Sequence, residues 1–296
     1  MARVDPASPP STTRRDDRVL PATRVLSVVL VPILLTAFVI LYGSPSDTGR
    51  FFAWTIRPSL TPMVLGSAYL GGAWFFVRVA RERRWPRVGA GLLSVTLFAA
   101  LLGVATVIHW DRFNHGHVAF WLWATLYFVA PFLVLAAWVA NTRVAALPRP
   151  DELRLRPGAR AVVAGGAGLA LAQGLVMFAV PSLVIPVWPW LLTPLTCRVV
   201  GAIFCLGSAG LVVLRDSRWV RLRLMVEVEV VMLTLILVGA VRARSDLYTD
   251  RPLTWLLLTG FAATLGASLL LWRAMAGRER ARGTSARPAP PRTSAR

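Results

Sequence analysis

The segment Arg81-Glu82-Arg83-Arg84-Trp85-Pro86-Arg87 stands between apolar runs at about residues 59–77 and 88–108. At an offset of 134, Arg215-Asp216-Ser217-Arg218-Trp219-Val220-Arg221 stands between two more, at about 194–214 and 224–241. Three arginines, the acidic residue and the tryptophan coincide, which chance does not give. Each apolar run is long enough to cross a bilayer as a helix. Each segment therefore reads as a charged turn joining two membrane spans, and the pair reads as one turn present twice.

Working outward adds four further runs, at about 25–42, 118–140, 161–180 and 252–272, for eight spans in all. The 296 residues are 56% hydrophobic and 16% charged, with mean hydropathy +0.60, which excludes a disordered chain and disfavours a water-soluble one. No stretch between or beyond the runs exceeds 24 residues, too short for a separate soluble domain. The expected fold class is an all-α integral membrane protein of eight transmembrane helices, arranged as two parallel four-helix repeats. The expected divisions are a disordered leader at 1–24, a first repeat at 25–140, a linker at 141–160, a second repeat at 161–276 and a disordered basic tail at 277–296.

All 33 basic residues are arginine, and the net charge is +19. A nucleic-acid partner is set aside because membrane topology accounts for the charge. Assigning the loops alternately to two sides puts 26 arginines on the side that holds both termini and 6 on the other, with Arg198 inside a span. By the positive-inside rule both termini are cytoplasmic, in a bacterial inner membrane. Cys197 and Cys205 lie eight residues apart on one helix, about 12 Å, too far for a disulfide.

The repeat extends beyond the charged turns. Trp54, Trp85, Trp121 and Trp138 fall on Trp190, Trp219, Trp255 and Trp272 at offsets of 134–136. Four spans is an even number, so the two units enter the membrane from the same side, related by an axis along the membrane normal. The connection before the second span of each unit is rich in aromatic residues and proline. Phe51, Phe52, Trp54, Trp188 and Trp190 are expected at headgroup depth, and the glycines of the spans that follow are expected at helix contacts.

Three groups of residues could carry chemistry. The turn His109-Trp110-Asp111-Arg112-Phe113-Asn114-His115-Gly116-His117 holds every histidine of the chain, and His109, Asp111, His115 and His117 form a ligand set suited to a transition metal, with Asp246 and Asp250 on the neighbouring turn. Arg198, Glu227 and Glu229 are charges inside or near spans, where a substrate, ion or proton could be held. Arg223 precedes Glu227 by one helical turn and is its expected ion-pair partner. Arg81, Arg84, Arg87, Arg215, Arg218 and Arg221 face anionic lipid headgroups, as does the basic tail. No nucleophile elbow, phosphate loop, dinucleotide fingerprint or zincin motif is present, so no cofactor beyond that metal is implied and enzyme chemistry is disfavoured.

The stretch Trp54-Thr55-Ile56-Arg57-Pro58 through Gly72, with the histidine turn and the Phe-Trp-Leu-Trp opening span four, resembles the uncharacterised multi-spanning membrane proteins of high-GC, actinobacterial-type bacteria. That resemblance implies location and span number, and no activity. The function expected first from the residues is a small-solute or ion carrier with substrate between the repeats; the alternatives are a metal-dependent membrane enzyme using the histidine turn, or a non-catalytic subunit or assembly factor that binds another membrane protein or a second copy of itself. The carrier requires a hydrated cavity between the halves.

Overall fold

A computed structural model describes residues 17–144 and 152–285. Residues 1–16 of the expected leader, 145–151 of the linker and 286–296 of the tail lie outside the described residues. All eight expected spans are helices long and apolar enough to cross a membrane. They are α1 Pro21–Phe38, α2 Leu60–Arg81, α3 Gly89–Ile108, α4 Val118–Val144, α5 Pro157–Ala179, α6 Pro194–Cys205, α7 Trp219–Arg242 and α8 Pro252–Ser285. A π turn, Val39–Gly43, continues α1, and a 3₁₀ segment, Leu206–Leu214, continues α6.

The helix starts follow local chemistry. Pro21, Pro157 and Pro194 occupy first turns, where the missing N–H removes a donor that had no partner. Thr193 and Thr196 complete a capping box at α6. Several boundaries differ from expectation, α4 and α5 both reaching into the expected linker, and three others stand out. The second charged turn ends at Arg218, so α7 is helical from Trp219 and Glu229 lies ten residues into it. Helix α1 takes in residues 21–24 of the expected leader, and α8 continues to Ser285, nine residues into the expected tail.

Helices α1 and α2 pack together, as do α3 and α4, α5 and α6, and α7 and α8, while α2 lies on α7 and α3 on α6. Four helices, α2, α3, α6 and α7, thus form the middle of the bundle. Helix α2 is the most enclosed, with 78% of its apolar window buried, and α5 and α8 are the least, at 17% each. Glycines set the close approaches: Gly71 faces Met232, Gly91 faces Phe75 and Met225, and Gly174 and Gly201 bring α5 and α6 to backbone contact.

The aromatic connections differ from expectation in a consistent way. Phe51 is exposed, but Phe52, Trp54, Trp188 and Trp190 are buried. Trp54 lies edge-on to Trp123 at 4.8 Å and to Phe113 at 5.0 Å, while Trp188 and Trp190 pack on each other at 5.1 Å. These connections fold back as plugs over the helix ends. The exposed rings at this end include Trp121 and Trp255, whose indole N–H groups donate to the His115 and Thr249 carbonyls, 3.0 Å in both cases.

Candidate functional site

At the end opposite the arginine-rich turns, α3 finishes in a 3₁₀ turn, Trp110–Arg112, with His109 at the junction. Arg198 Nη1 lies 2.9 Å from His109 Nε2. A guanidinium can only donate, so this imidazole nitrogen accepts and the ring is neutral with its proton on Nδ1. Burial, followed by the charges of Arg198 and Arg112, lowers the His109 pKa from its ordinary value. Arg198, whose position 135 residues earlier is Met63, is thus held by a histidine from the other half of the chain.

The other members of the proposed ligand set are turned to separate tasks. His115 stacks on Trp110 at 5.1 Å and meets Phe120 edge-on at 4.7 Å. His117 Nδ1 accepts from the Ala119 N–H at 3.1 Å, capping the start of α4. Asp111 is exposed, and Asp246 accepts from the Leu60 N–H at 2.9 Å, capping α2 from across the bundle. The structure does not bring His109, Asp111, His115 and His117 together. Among the described residues, no three histidine, cysteine, aspartate or glutamate side chains are grouped to hold a metal.

The two glutamates of α7 also separate, as a spacing of two on a helix requires. Glu227 joins Arg78 of α2 at 2.6 Å and Arg223 at 3.2 Å, and Arg223 reaches Glu279 of α8 at 3.4 Å. The expected Arg223 pair is present, but Arg78 is the closer partner and ties the two halves. Glu229 accepts from the Ser268 hydroxyl of α8 at 2.7 Å. Ten residues of helix separate it from Trp219 and thirteen from Arg242, roughly 15 Å and 20 Å at 1.5 Å per residue, so it sits near the middle of the span.

The arginine-rich end is built twice from the same bonds. Trp85 N–H donates to the Asp17 carbonyl at 2.6 Å and Val19 N–H to Arg83 at 3.0 Å; Trp219 N–H donates to Leu153 at 2.7 Å and Leu155 N–H to Ser217 at 2.9 Å. In each turn an acidic side chain caps the backbone N–H two residues on, Glu82 to Arg84 at 3.1 Å and Asp216 to Arg218 at 3.2 Å. Burial alone would raise both acids. The Arg84 and Arg83 N–H groups and Arg87 outweigh it and lower the Glu82 pKa, and Arg218 and Arg221 do the same for Asp216.

Glu152, in the connection between the halves, joins the two turns. It accepts from Arg84 at 3.0 Å and from Arg218 at 2.5 Å. Bonds to Asp216, followed by its charge and that of Glu152, raise the Arg218 pKa against the opposing effect of burial. Of the six arginines expected at lipid headgroups, Arg84, Arg87, Arg218 and Arg221 are therefore held in ion pairs.

Between the halves, the space over Gly71 is filled by Met232 and that over Gly91 by Met225. A gap of about 10 Å³ lies between α2, α7 and α8, walled mainly by apolar side chains including Leu60, Val64, Trp190 and Ile236. That is the lower limit of what one water needs. Several polar contacts escaped the sequence reading. The Tyr69 and Tyr127 hydroxyls meet at 2.7 Å in the core, and Asn141 joins the Leu20 N–H at 2.9 Å to Thr23 Oγ1 at 2.6 Å. The signal for the two tyrosines is a lone hydroxyl within an apolar run, whereas Thr23 and Asn141 lie just beyond the ends of theirs.

Fold and charges together define a multi-pass, all-helical membrane protein in contact with the lipid bilayer. Compared with known proteins, the chain matches no family model, no curated protein and no solved structure.

Proposed function

We propose that the chain is a non-catalytic subunit of a bacterial inner membrane, built as two parallel four-helix units with both termini cytoplasmic, and that it has no solute path of its own. The observation that carries this reading is the closed interface between the halves. Carriers made of duplicated bundles place substrate between the bundles, at mid-membrane; here Met232 fills the space over Gly71 at mid-span, Met225 fills that over Gly91 toward the arginine-rich end, and the small gap between α2, α7 and α8 toward the other end is walled mainly by apolar side chains. The duplicated charged turns and their shared Glu152 clamp support the two-unit reading. A membrane partner would meet α5 and α8, whose Gly165, Gly168, Gly260 and Gly266 have open space above them, the kind of surface on which transmembrane helices approach closely. Gentle detergent extraction from the native membrane should recover the chain in a complex larger than its own mass. Uptake into proteoliposomes above that of empty vesicles would overturn the reading.

A second reading, a proton-coupled carrier, is favoured by Glu229. An ionisable side chain at mid-span is costly and is by default a functional group, with Ser268 as its partner. Acid-driven flux abolished by Glu229→Gln would establish this reading in place of the first.

A further inference from the structure

The geometry points to a binding site for a phosphate-bearing anion at the arginine-rich end, in the cavity between the start of α5 and the turn joining α6 to α7. The cavity measures about 240 Å³ and is lined by Arg154, Arg160, Arg215, Asp216, Ser217 and Arg218. It stands apart from the question of transport, because it lies outside the interface between the halves.

The charges around it do not cancel. The Asp216 carboxylate is occupied by Arg218 at 2.6 Å and Arg221 at 3.1 Å, and Arg218 is further neutralised by Glu152. Arg160 is steered by its Nη2, which donates to the Leu214 carbonyl at 2.7 Å. Arg154 and Arg215 are exposed and form no ion pair with any described residue, so the walls keep a positive excess. Ser217 adds a hydroxyl donor. Arginine forks with a hydroxyl between them suit the several acceptor oxygens of a phosphate, which planar guanidinium groups bind through paired bonds. The volume falls below the ~300 Å³ at which sites for larger organic ligands begin, so it suits a headgroup or a small phosphate.

The two halves give a second line of argument. Arg18, Arg24, Arg81 and Arg84 are the first-half counterparts of Arg154, Arg160, Arg215 and Arg218, and Arg24, like Arg160, donates to a carbonyl of the adjoining turn, that of Glu82 at 3.0 Å. The position of Ser217 is Arg83 in the first half. A short hydroxyl thus replaces a long cation where the second half has its cavity. Topology alone requires positive charge on this side; it does not require a serine among the arginines.

The phosphate can come from a lipid or from solution, and two measurements on the full chain separate these. Released into native mass spectrometry from bilayers of phosphatidylcholine containing phosphatidic acid, the protein should retain phosphatidic acid. Arg154→Gln with Arg215→Gln should weaken that retention about thirty-fold, the loss of two basic contacts of the strength such residues have at an anionic surface. Arg143→Gln with Arg273→Gln, two exposed arginines removed from the same end, should leave it unchanged. In neutral detergent without anionic lipid, inorganic phosphate should raise the melting temperature only if the ligand is the soluble anion, and the pocket pair should abolish that shift. Loss in the pocket pair alone, in either measurement, supports the site and names the source. Equal loss in the control pair, or no binding in both measurements, overturns it.

Discussion

Adding one methyl group at Gly201 tests how α5 and α6 are held together. A Cβ there would stand 2.7 Å from the Gly174 carbonyl oxygen, 2.9 Å from Met177 Cβ and 3.0 Å from the Phe178 nitrogen. Two of these atoms are backbone and none can rotate aside. Ordinary contact begins at 3.4 Å, so the helices must part by about 0.7 Å at this point. Separation also loosens the neighbouring contacts of Gly207 with Ala170 and Gly210 with Ala167. An atom pair opened by 0.5–1 Å forfeits roughly a quarter to a half of its attraction. Overpacking of this kind costs about 1–3 kcal/mol, or about five- to 150-fold in the unfolding equilibrium. Gly165→Ala on α5 is the control: a Cβ there meets nothing within 4 Å, and the helix gains up to about 1 kcal/mol from the exchange. Reversible unfolding in mixed micelles with increasing sodium dodecyl sulfate reads both. Gly174→Ala should match Gly201→Ala, and the double variant should cost less than the sum, because one separation accommodates both methyls. A Gly201→Ala protein as stable as Gly165→Ala would refute the close approach.

Other outcomes follow from single contacts. Asp216 has a folded pKa below its ordinary value, so its contribution is present above about pH 4 and is lost as pH falls through the lower folded value; Asp216→Asn should cost about 1–2 kcal/mol at neutral pH and flatten the acid limb of a stability profile. An unchanged acid limb would remove the carboxylate from the account. His109 also has a lowered folded pKa, so the stability it confers is complete above about pH 6.5 and declines below it as the ring is protonated against Arg198. His109→Gln keeps an acceptor for Arg198 and should lose that slope; the same slope in the variant would assign it elsewhere. Tyr69→Phe strands the buried Tyr127 hydroxyl and should cost about 1–3 kcal/mol, and adding Tyr127→Phe should restore part of the loss. Additive losses would show that the two hydroxyls do not depend on each other.

The eight spans were legible because hydrocarbon imposes one rule on every residue of a run, and the rule can be read locally. The charged turns were legible because the same pattern of arginines, acid and tryptophan occurs twice in the sequence. What lies between residues far apart was not. Glu227 pairs with Arg223, as helical spacing predicts, but its closer bond is to Arg78, 149 residues away, and no periodicity carries that information. The apolar run at about 224–241 has Glu229 as its sixth residue, and a helix that starts at Trp219 instead carries it to mid-span. The histidine turn read as a ligand set because composition records which side chains are near in sequence. Their directions depend on a 3₁₀ turn, a stacked tryptophan and a helix cap, none of which spacing reveals.

At Trp85 and Trp219, and at Trp121 and Trp255, the two halves keep both the residue and its bond, whereas Trp190 donates to Thr61 and its counterpart Trp54 has no hydrogen-bond partner among the described residues. Three of the positions that differ bear on function: Arg198 with His109, Glu229 with Ser268, and Ser217 among its arginines. In the first two, the new polar group meets a new partner within the chain, so its cost is offset internally and no ligand is needed to explain it. The third differs in kind. The position of Arg83 is a hydroxyl at Ser217, the arginines around it remain, and the cavity they line keeps unbalanced positive charge. A cavity whose charge the chain does not balance is a stronger mark of a ligand than a polar group already paired within the chain, which ranks the proposed phosphate site ahead of the two buried contacts.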